Sequence, residues 1–489
     1  MKNKNKTKVL LFAGVIMLLS ACSADFDEMN TNPNAATVVP GTNVLGSAMT
    51  TSMYTLFGTR LNCYYTGAYS GFISAPDYEY RVDINNSMWR SMYIAMTYAT
   101  DAMRIAVEEE NDNLYAAALT FRVYNAQKTT DMWGDIPYTE AFQLPEGVLY
   151  PAYDGQELIY NTLLDELETA ADMFDAGGSP IGEGDFLLEG DVEMWKMFCN
   201  SLRLRVAIRM SARDETTAKA TISAILANPT KYPVMTKNLD NAYWWFPGIA
   251  PDMEIWYESM GTVGDAEKKS GWRMQQPIID ALQDNNDPRL PVYADENAYG
   301  EYSGHRFGEN DRSDTMNNSF NKSHIADWFM NDPSGFVPYM NCAEIYFCLA
   351  EAYERGLATG DAQAAYEMGI TMSCLESGQI EPDAVTTFLA EPEVAWNGGT
   401  TSNLDKIALQ KYVCLFKQSV EGWSEARRTD IPLMTGVAED YAGSHNRPPF
   451  RMAYADEEKG LNTSFPYDVV ETDIFYGTQV WWDTRTDVH

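Results

Sequence analysis

The sequence predicts a mostly α-helical protein in which tetratricopeptide-like helical repeats support a loop-rich half. Three observations lead to this fold class. Apolar residues recur at helical spacing through most of the chain, one helix pair carries a repeat signature, and one long segment has no helical stripe. At 489 residues and 45% hydrophobic composition, the chain is long enough to bury a large core.

The helix pair predicted over Asn341–Gly378 gives the clearest repeat signal. A tetratricopeptide pattern of large and small residues is found at Tyr346, Leu349, Ala350, Tyr353, Ala362, Tyr366 and Gly369. Gly356 and Gly360 supply the turn, and Asp361 is placed to cap the second helix. Because one unit cannot bury its own apolar face, we expect several less regular helix pairs to pack beside it.

A further helix is predicted from Asp154 to about Phe174. Asp154 is a suitable N-cap, and Glu157 three residues later completes a capping box. Four other stretches show apolar stripes at helical spacing, namely Met88–Ala106, Leu114–Thr130, Trp195–Ala212 and Leu404–Lys417.

The segment from about 232 to 339 is rich in proline, glycine, asparagine and aromatic residues. Long irregular segments in compact proteins are commonly functional, and the aromatic content argues against disorder. Aromatic rings suit the faces of sugars or the side chains of peptides, although they also close cores beneath long loops. The residues predicted to bind ligand are Tyr64, Tyr65, Trp89, Trp256, Tyr257 and Trp272.

The N-terminus predicts a lipoprotein signal. Lys2, Lys4, Lys6 and Lys8 precede an apolar run, Val9–Leu19, that is too short to span a bilayer. The following Leu19-Ser20-Ala21-Cys22 is a lipobox, so residues 1–21 are expected to be removed and Cys22 acylated. The alternative is an ordinary secretory signal with a chance cysteine. Residues 22–40 are predicted to be an acidic tether, and residues 41–489 a single domain.

The net charge argues against one class of partner, and the positions of the cysteines bear on disulfide formation. A net charge of −35 argues against nucleic acid, whose phosphates the chain would repel. Six cysteines remain besides Cys22. Since Cys342, Cys348 and Cys414 fall within helical patterns, they are expected to act as small buried hydrophobes, with a disulfide elsewhere left open.

The sequence contains few of the residues and motifs that are typical of enzyme active sites. It has no H-E-x-x-H, G-x-S-x-G, Walker A or EF-hand motif, and its four histidines are isolated along the chain. We therefore predict no catalytic residues, no metal and no cofactor. A pair of glycosidase carboxylates stays open, because 70 acidic residues cannot be sorted by spacing alone.

Several motifs resemble those of the SusD/RagB family, in particular its SusD-like branch. The resemblance covers nearly all of the mature sequence. Its motifs are Phe26–Asn34, Asp131–Tyr138, Pro151-x-Tyr153-Asp154, Trp195–Arg205, Asn286–Arg289, Gln410–Tyr412, Glu421–Thr429 with Pro432, and Trp481–Asp483.

The resemblance implies a scaffold of tetratricopeptide-like helix pairs carrying a loop-rich ligand-binding half, about 232–339. It implies a surface-exposed outer-membrane lipoprotein that binds glycan and passes it to a SusC-like TonB-dependent transporter. Two alternatives remain. One is the same architecture binding oligopeptides, and the more remote one is a surface glycoside hydrolase.

Overall fold

The long helices form where the sequence has apolar stripes, and each packs against the next along the chain. The computed structural model describes residues 39–74, 85–261, 272–306, 321–435, 447–466, 477–486 and 488. The predicted signal peptide, Cys22 and all of the predicted tether except Val39 and Pro40 lie outside these residues. Within the described part of the chain, no helix combines the length and apolarity needed to cross a bilayer.

The first half contains seven α-helices among its described residues. They are α1 Gly41–Leu56, α2 Thr66–Tyr69, α3 Asn86–Glu108, α4 Asp112–Trp133, α5 Gln156–Met173, α6 Val192–Met210 and α7 Glu215–Ala227. Side-chain caps fix several starts: Asn85 accepts from the Met88 amide, and Asn111 from that of Leu114. The packing of each helix from α3 to α7 against the next confirms the predicted helical-repeat architecture.

The second half contains shorter helices. They are α8 Ile255–Met260, α9 Gln276–Gln283, α10 Leu290–Tyr293, α11 Asp327–Met330, α12 Cys342–Glu354, α13 Ala362–Leu375, α14 Pro382–Leu389, α15 Asn403–Cys414, α16 Ser419–Thr429 and α17 Asp456–Leu461. The four apolar stripes lie on α3, α4, α6 and α15, although α15 ends three residues before the predicted Lys417. Lys417 has a positive φ of 71°, which does not continue a helix.

The predicted helix pair is confirmed as α12 and α13. Asp361 caps α13 by accepting from the Ala364 amide at 3.0 Å. Gly369 allows the close approach of the two helices, because a Cβ there would lie 2.7 Å from a ring carbon of Phe347. Gly356, with φ of +69°, makes the turn after α12.

The predicted cap at Asp154 is wrong. Helix α5 begins at Gln156 with Gly155 as its N-cap, and no side chain caps it. The Asp154 carboxylate instead accepts from the backbone amides of Tyr138 and Thr139 at 3.0 and 2.7 Å. It therefore holds the turn that follows α4, and this long-range demand outweighs local capping.

In the part of the chain that the structure describes, four short strands form two antiparallel two-stranded sheets. Strand β1 (Ile73–Ser74) pairs with β3 (Arg273–Met274), and β2 (Ala242–Trp245) pairs with β4 (Phe336–Met340). Apart from these strands, the described part of the predicted irregular segment contains only short helices. A π-helix, Arg60–Tyr65, links α1 to α2.

A network of buried charges joins the helices beneath these loops. Glu421 on α16 bonds with Arg209 of α6 and with Lys128 of α4, and none of the three is more than 3% exposed. Arg205 forms a two-pronged ion pair with Glu344 at 2.6 Å. Since these bonds cross four helices, the network fixes the scaffold from which the loops extend.

Candidate functional site

An open groove lies along the π-helix. We call it the tyrosine groove; its lining residues are Thr59, Arg60, Tyr64 and Tyr65, and its volume is ≈ 240 Å³. A shallow site of this size does not enclose a compact molecule, so it suits one part of an extended chain.

The π-helix is anchored to the scaffold from behind. Its wide turn closes with the i→i+5 hydrogen bond from the Thr66 amide to the Leu61 carbonyl. On the buried side, the Asn62 side chain donates to the Lys417 carbonyl at 2.9 Å and accepts from the Ser419 amide at 3.1 Å. Helix α16, which carries Glu421, therefore positions the residues of the groove. Single-turn π-helices are rare and occur frequently at functional sites.

Tyr64 is the half-buried ring of the groove, and a second ring holds it in place. The edge of Trp272 meets Tyr64 with 4.7 Å between ring centroids and 66° between planes. Trp272 is 8% exposed and precedes β3, so its own position is fixed by the sheet. Aromatic pairs in this arrangement contribute about 0.5–1.5 kcal/mol beyond burial. Tyr64 is half-buried and held by Trp272, so its ring has little freedom to lose on binding.

Tyr65 closes the back of the tyrosine groove. The ring is 3% exposed, and its hydroxyl accepts from the Asn85 side chain at 3.3 Å. The same Asn85 caps α3, so one side chain couples the groove to the first turn of that helix.

Arg60 supplies the charge of the tyrosine groove. The side chain is exposed and makes no ion pair or hydrogen bond with any residue that the structure describes. Sequence reasoning missed Arg60, although a signal exists: it is the only charged residue from Met29 to Pro76. In a chain with 70 acidic residues, such an acid-free stretch is unusual and distinguishes Arg60 from the other exposed arginines.

The structure brings three of the six predicted ligand residues together, namely Tyr64, Tyr65 and Trp272. Trp89 lies elsewhere, packed edge-on against Trp133 at 5.3 Å and only 4% exposed. Trp256 is fully buried, and its indole donates to the Phe57 carbonyl at 3.1 Å.

Tyr257, the sixth predicted residue, is partly exposed on α8. Its amide donates to the Glu254 carboxylate at 2.7 Å, which caps that helix. None of its ring contacts with the described residues involves the tyrosine groove.

A second, larger groove borders α9 and has a volume of ≈ 470 Å³. We call it the α9 groove; its lining includes Asp280, Asp284, Arg306, Leu409 and Leu433. The two aspartates are four residues apart on one helix, so they project from the same wall. A glycosidase pair must flank the scissile bond from two sides, and this arrangement does not provide that.

Thiols and imidazoles provide no reactive centre among the described residues. All six cysteines are free and buried, and burial raises the pKa of each thiol, as expected for small hydrophobes. Burial and the nearby Lys322 and Arg273 lower the pKa of His305 to about 3, so it is neutral at physiological pH. His445 and His489 lie outside the described residues. Within the described ranges, no three potential metal ligands cluster.

The fold and the site together define a class: a helical-repeat protein that presents an aromatic groove from a rigid scaffold. The chain belongs to the SusD-like family, whose model, described as starch-binding and associating with the outer membrane, matches residues 33–455. None of the curated proteins matches this sequence.

Solved structures share the fold over nearly the whole chain. A chitin-binding protein superimposes with a TM-score of 0.76 at 22% identity, covering 91% of this chain and 100% of its own. A SusD homologue from Bacteroides fragilis NCTC 9343 gives 0.76 at 21%, with 92% and 100% covered. One from Bacteroides uniformis ATCC 8492 gives 0.77 at 24%, with 90% and 99% covered. At these identities the likeness shows a shared fold.

Proposed function

We propose that this chain is a surface lipoprotein of the outer membrane that binds glycan in the tyrosine groove and passes it to a SusC-like TonB-dependent transporter. In this proposal residues 1–21 are a signal peptide, Cys22 carries the lipid, residues 22–40 are the tether and residues 41–489 are the binding domain. Membership of the SusD-like family supports the location and the binding role. The fold is shared with a chitin-binding protein, which supports a carbohydrate ligand.

One observation carries the glycan assignment: the Tyr64 ring is held by Trp272 at the opening of a shallow groove. A flat ring that is already fixed can stack on the C–H face of a sugar at small entropic cost. The hydroxyl of Thr59 and the guanidinium of Arg60 lie beside it and can bond sugar hydroxyls. Binding by one ring is weak and reversible, which suits a protein that must release its ligand to a channel.

The proposal includes no catalysis. The carboxylates that line the α9 groove lie on one helix, and His305 is neutral and buried. A purified protein lacking the signal and tether should release no reducing ends from any glycan that it binds. Release of reducing ends by a preparation whose activity survives repurification would overturn this part of the proposal.

The glycan assignment is tested by Tyr64→Ala, with Tyr299→Ala as the matched control. Tyr299 is 70% exposed outside the groove, so both variants lose one accessible tyrosine ring. Affinity electrophoresis against a panel of polysaccharides should show the Tyr64 variant losing about fivefold or more in affinity, since stacking contributes about 1 kcal/mol or more. The control should bind like the parent. Equal binding by both variants would contradict the tyrosine groove as the site.

A peptide ligand is favoured by one observation, the acidic lining of the α9 groove. Asp280 and Asp284 beside Leu433 suit a basic and partly apolar side chain. The same panel should therefore include oligopeptides of differing charge. Binding that follows peptide charge, and that Asp280→Asn weakens while Tyr64→Ala does not, would favour peptides over glycans.

A further inference from the structure

We propose that the tyrosine groove selects acidic glycans, with Arg60 pairing with the carboxylate of a uronic acid whose ring lies on Tyr64. The inference rests on the proposed function, because it names the class of glycan that the same groove takes.

The first supporting observation is that Arg60 has no protein partner among the described residues. Exposed arginines of this chain fall into two groups: Arg90 pairs with Glu457, whereas Arg306 of the α9 groove, like Arg60, has no partner among the described residues. Arg122, at the edge of another groove, binds Glu166 at 2.7 Å. A guanidinium that lines a groove and carries no counter-charge is available to a ligand anion.

The second observation is that, among the residues that the structure describes, those lining the tyrosine groove include one cation and no acid. The chain as a whole has twice as many acidic as basic residues, 70 against 35, and the α9 groove follows that balance with two aspartates and Arg306. A carboxylate bound in the tyrosine groove gains a charge-assisted hydrogen bond without meeting a repelling side chain.

The third observation is geometric. Arg60 and Tyr64 lie within one turn of the same π-helix, so the guanidinium and the ring face the same groove. Because Trp272 fixes the ring, a sugar stacked on Tyr64 has a defined direction in which its carboxylate can reach Arg60. The planar guanidinium matches a planar carboxylate through two parallel hydrogen bonds, which favours a uronate over a tetrahedral sulfate ester.

The net negative charge of the chain does not prevent an acidic glycan from binding at Arg60, and it makes that binding more selective. Repulsion between the exposed charges and an acidic polymer is screened beyond about 8 Å at physiological salt, whereas the Arg60 contact acts at hydrogen-bond distance. Acidic polymers that cannot place a carboxylate at Arg60 gain nothing to offset the repulsion.

The test compares acidic polysaccharides with their carboxyl-reduced, neutral counterparts, using polygalacturonate, alginate and glucuronoxylan. The parent protein should bind at least one acidic polymer about two- to fivefold more tightly than its reduced form, the upper part of the range expected for an exposed ion pair. Arg60→Gln should remove that preference by lowering affinity for the acidic form, and it should lower affinity for the neutral form by a smaller factor, because the Gln amide can still bond a sugar hydroxyl. Arg306→Gln is the matched control, because it removes one exposed and unpaired arginine from the α9 groove.

The remaining outcomes would each contradict a different part of the proposal. Equal binding of acidic and neutral forms, or equal loss of both in Arg60→Gln, overturns the acidic preference and leaves glycan binding in place. Preference for a sulfated polysaccharide over every uronate overturns the carboxylate. Loss of preference in Arg306→Gln rather than Arg60→Gln moves the site to the α9 groove. Failure of every glycan, including the neutral panel used for Tyr64→Ala, overturns the proposed function itself.

Discussion

The charged side chains of the buried ion network have partners of opposite charge, whereas the charged side chain of the tyrosine groove has none among the described residues. In the network, Glu421 is bonded by Arg209 and Lys128 in the fully buried space between helices. In the groove, Arg60 is exposed and has no partner among the described residues. A charge inside the scaffold must be matched because burial without a partner is costly, whereas a charge at the groove can wait in water for a ligand.

The family motifs and the tyrosine groove also consist of different residues. The motif residues Lys411, Glu425 and Arg428 belong to the network, where Glu425 binds Lys411 at 3.0 Å and Arg428 at 2.8 Å. The residues of the tyrosine groove match none of the motifs. The sequence features that reveal the family therefore belong to the scaffold, and the residues that we propose to bind ligand carry no motif.

The largest expected effect comes from removing the central carboxylate of the network. Glu421→Gln leaves the buried Lys128 without its ion-pair partner and removes one of the carboxylates that face Arg209 and Arg205, so we expect a loss of about 3–5 kcal/mol in the free energy of unfolding. The matched control is Glu457→Gln on the exposed pair with Arg90, which should change stability by less than about 1 kcal/mol. Denaturant unfolding measures both.

The stability that Glu421 contributes should depend on pH. Against burial, which alone would raise it, Arg209, Lys128 and Arg205 hold the pKa of Glu421 well below its ordinary value. Stability from Glu421 is therefore present above about pH 4.5 and is lost as pH falls further. Similar losses in the Glu421 and Glu457 variants at pH 7 would contradict the distinction between buried and exposed charge.

A smaller effect is expected at Glu376, a carboxylate without a cation in contact. It accepts hydrogen bonds from Tyr243 and Asn241, and burial raises its pKa to about 7. The folded chain holds this proton more tightly than the unfolded chain, so stability declines as pH rises from about 4.5 to 7. Glu376→Gln should stabilise the protein at pH 8 by about 1–2 kcal/mol, a range reduced because part of the residue remains accessible.

The control for Glu376→Gln is a variant that should change stability in the opposite direction. Glu393 accepts from the hydroxyl of Thr401 and the amides of Thr400 and Thr401, and these bonds lower its pKa to about 2. Glu393→Gln should therefore destabilise the protein above pH 4.5, while Glu376→Gln stabilises it. Thermal melts at pH 5 and pH 8 that shift in the same direction for both variants would show that the two carboxylates are not set apart by their surroundings.

The helical scaffold was predictable from sequence because its signals are local. Apolar spacing located α3, α4, α6 and α15, and the small residues at Ala350 and Gly369 located the α12–α13 pair. Asp154 shows the limit of that reasoning. Its neighbours along the chain indicate a cap, but the turn after α4 takes its carboxylate instead.

The groove was only partly predictable because its contacts are distant in sequence. Tyr64 meets Trp272 across more than two hundred residues, and nothing local distinguishes Trp272 from the fully buried Trp256. Both are tryptophans in irregular segments, and only tertiary packing decides which ring lies beside a groove. Arg60 was overlooked because single exposed arginines are common, although the acid-free sequence around it was visible.

Hydrogen exchange of the full chain, with and without a bound glycan, tests the central claim most directly. Stacking on Tyr64 should slow local opening of the π-helix, so added protection should be concentrated in peptides covering residues 59–65 and should vanish in Tyr64→Ala. Protection centred on Gln276–Gln283, or protection that persists in Tyr64→Ala, would contradict the tyrosine groove as the binding site.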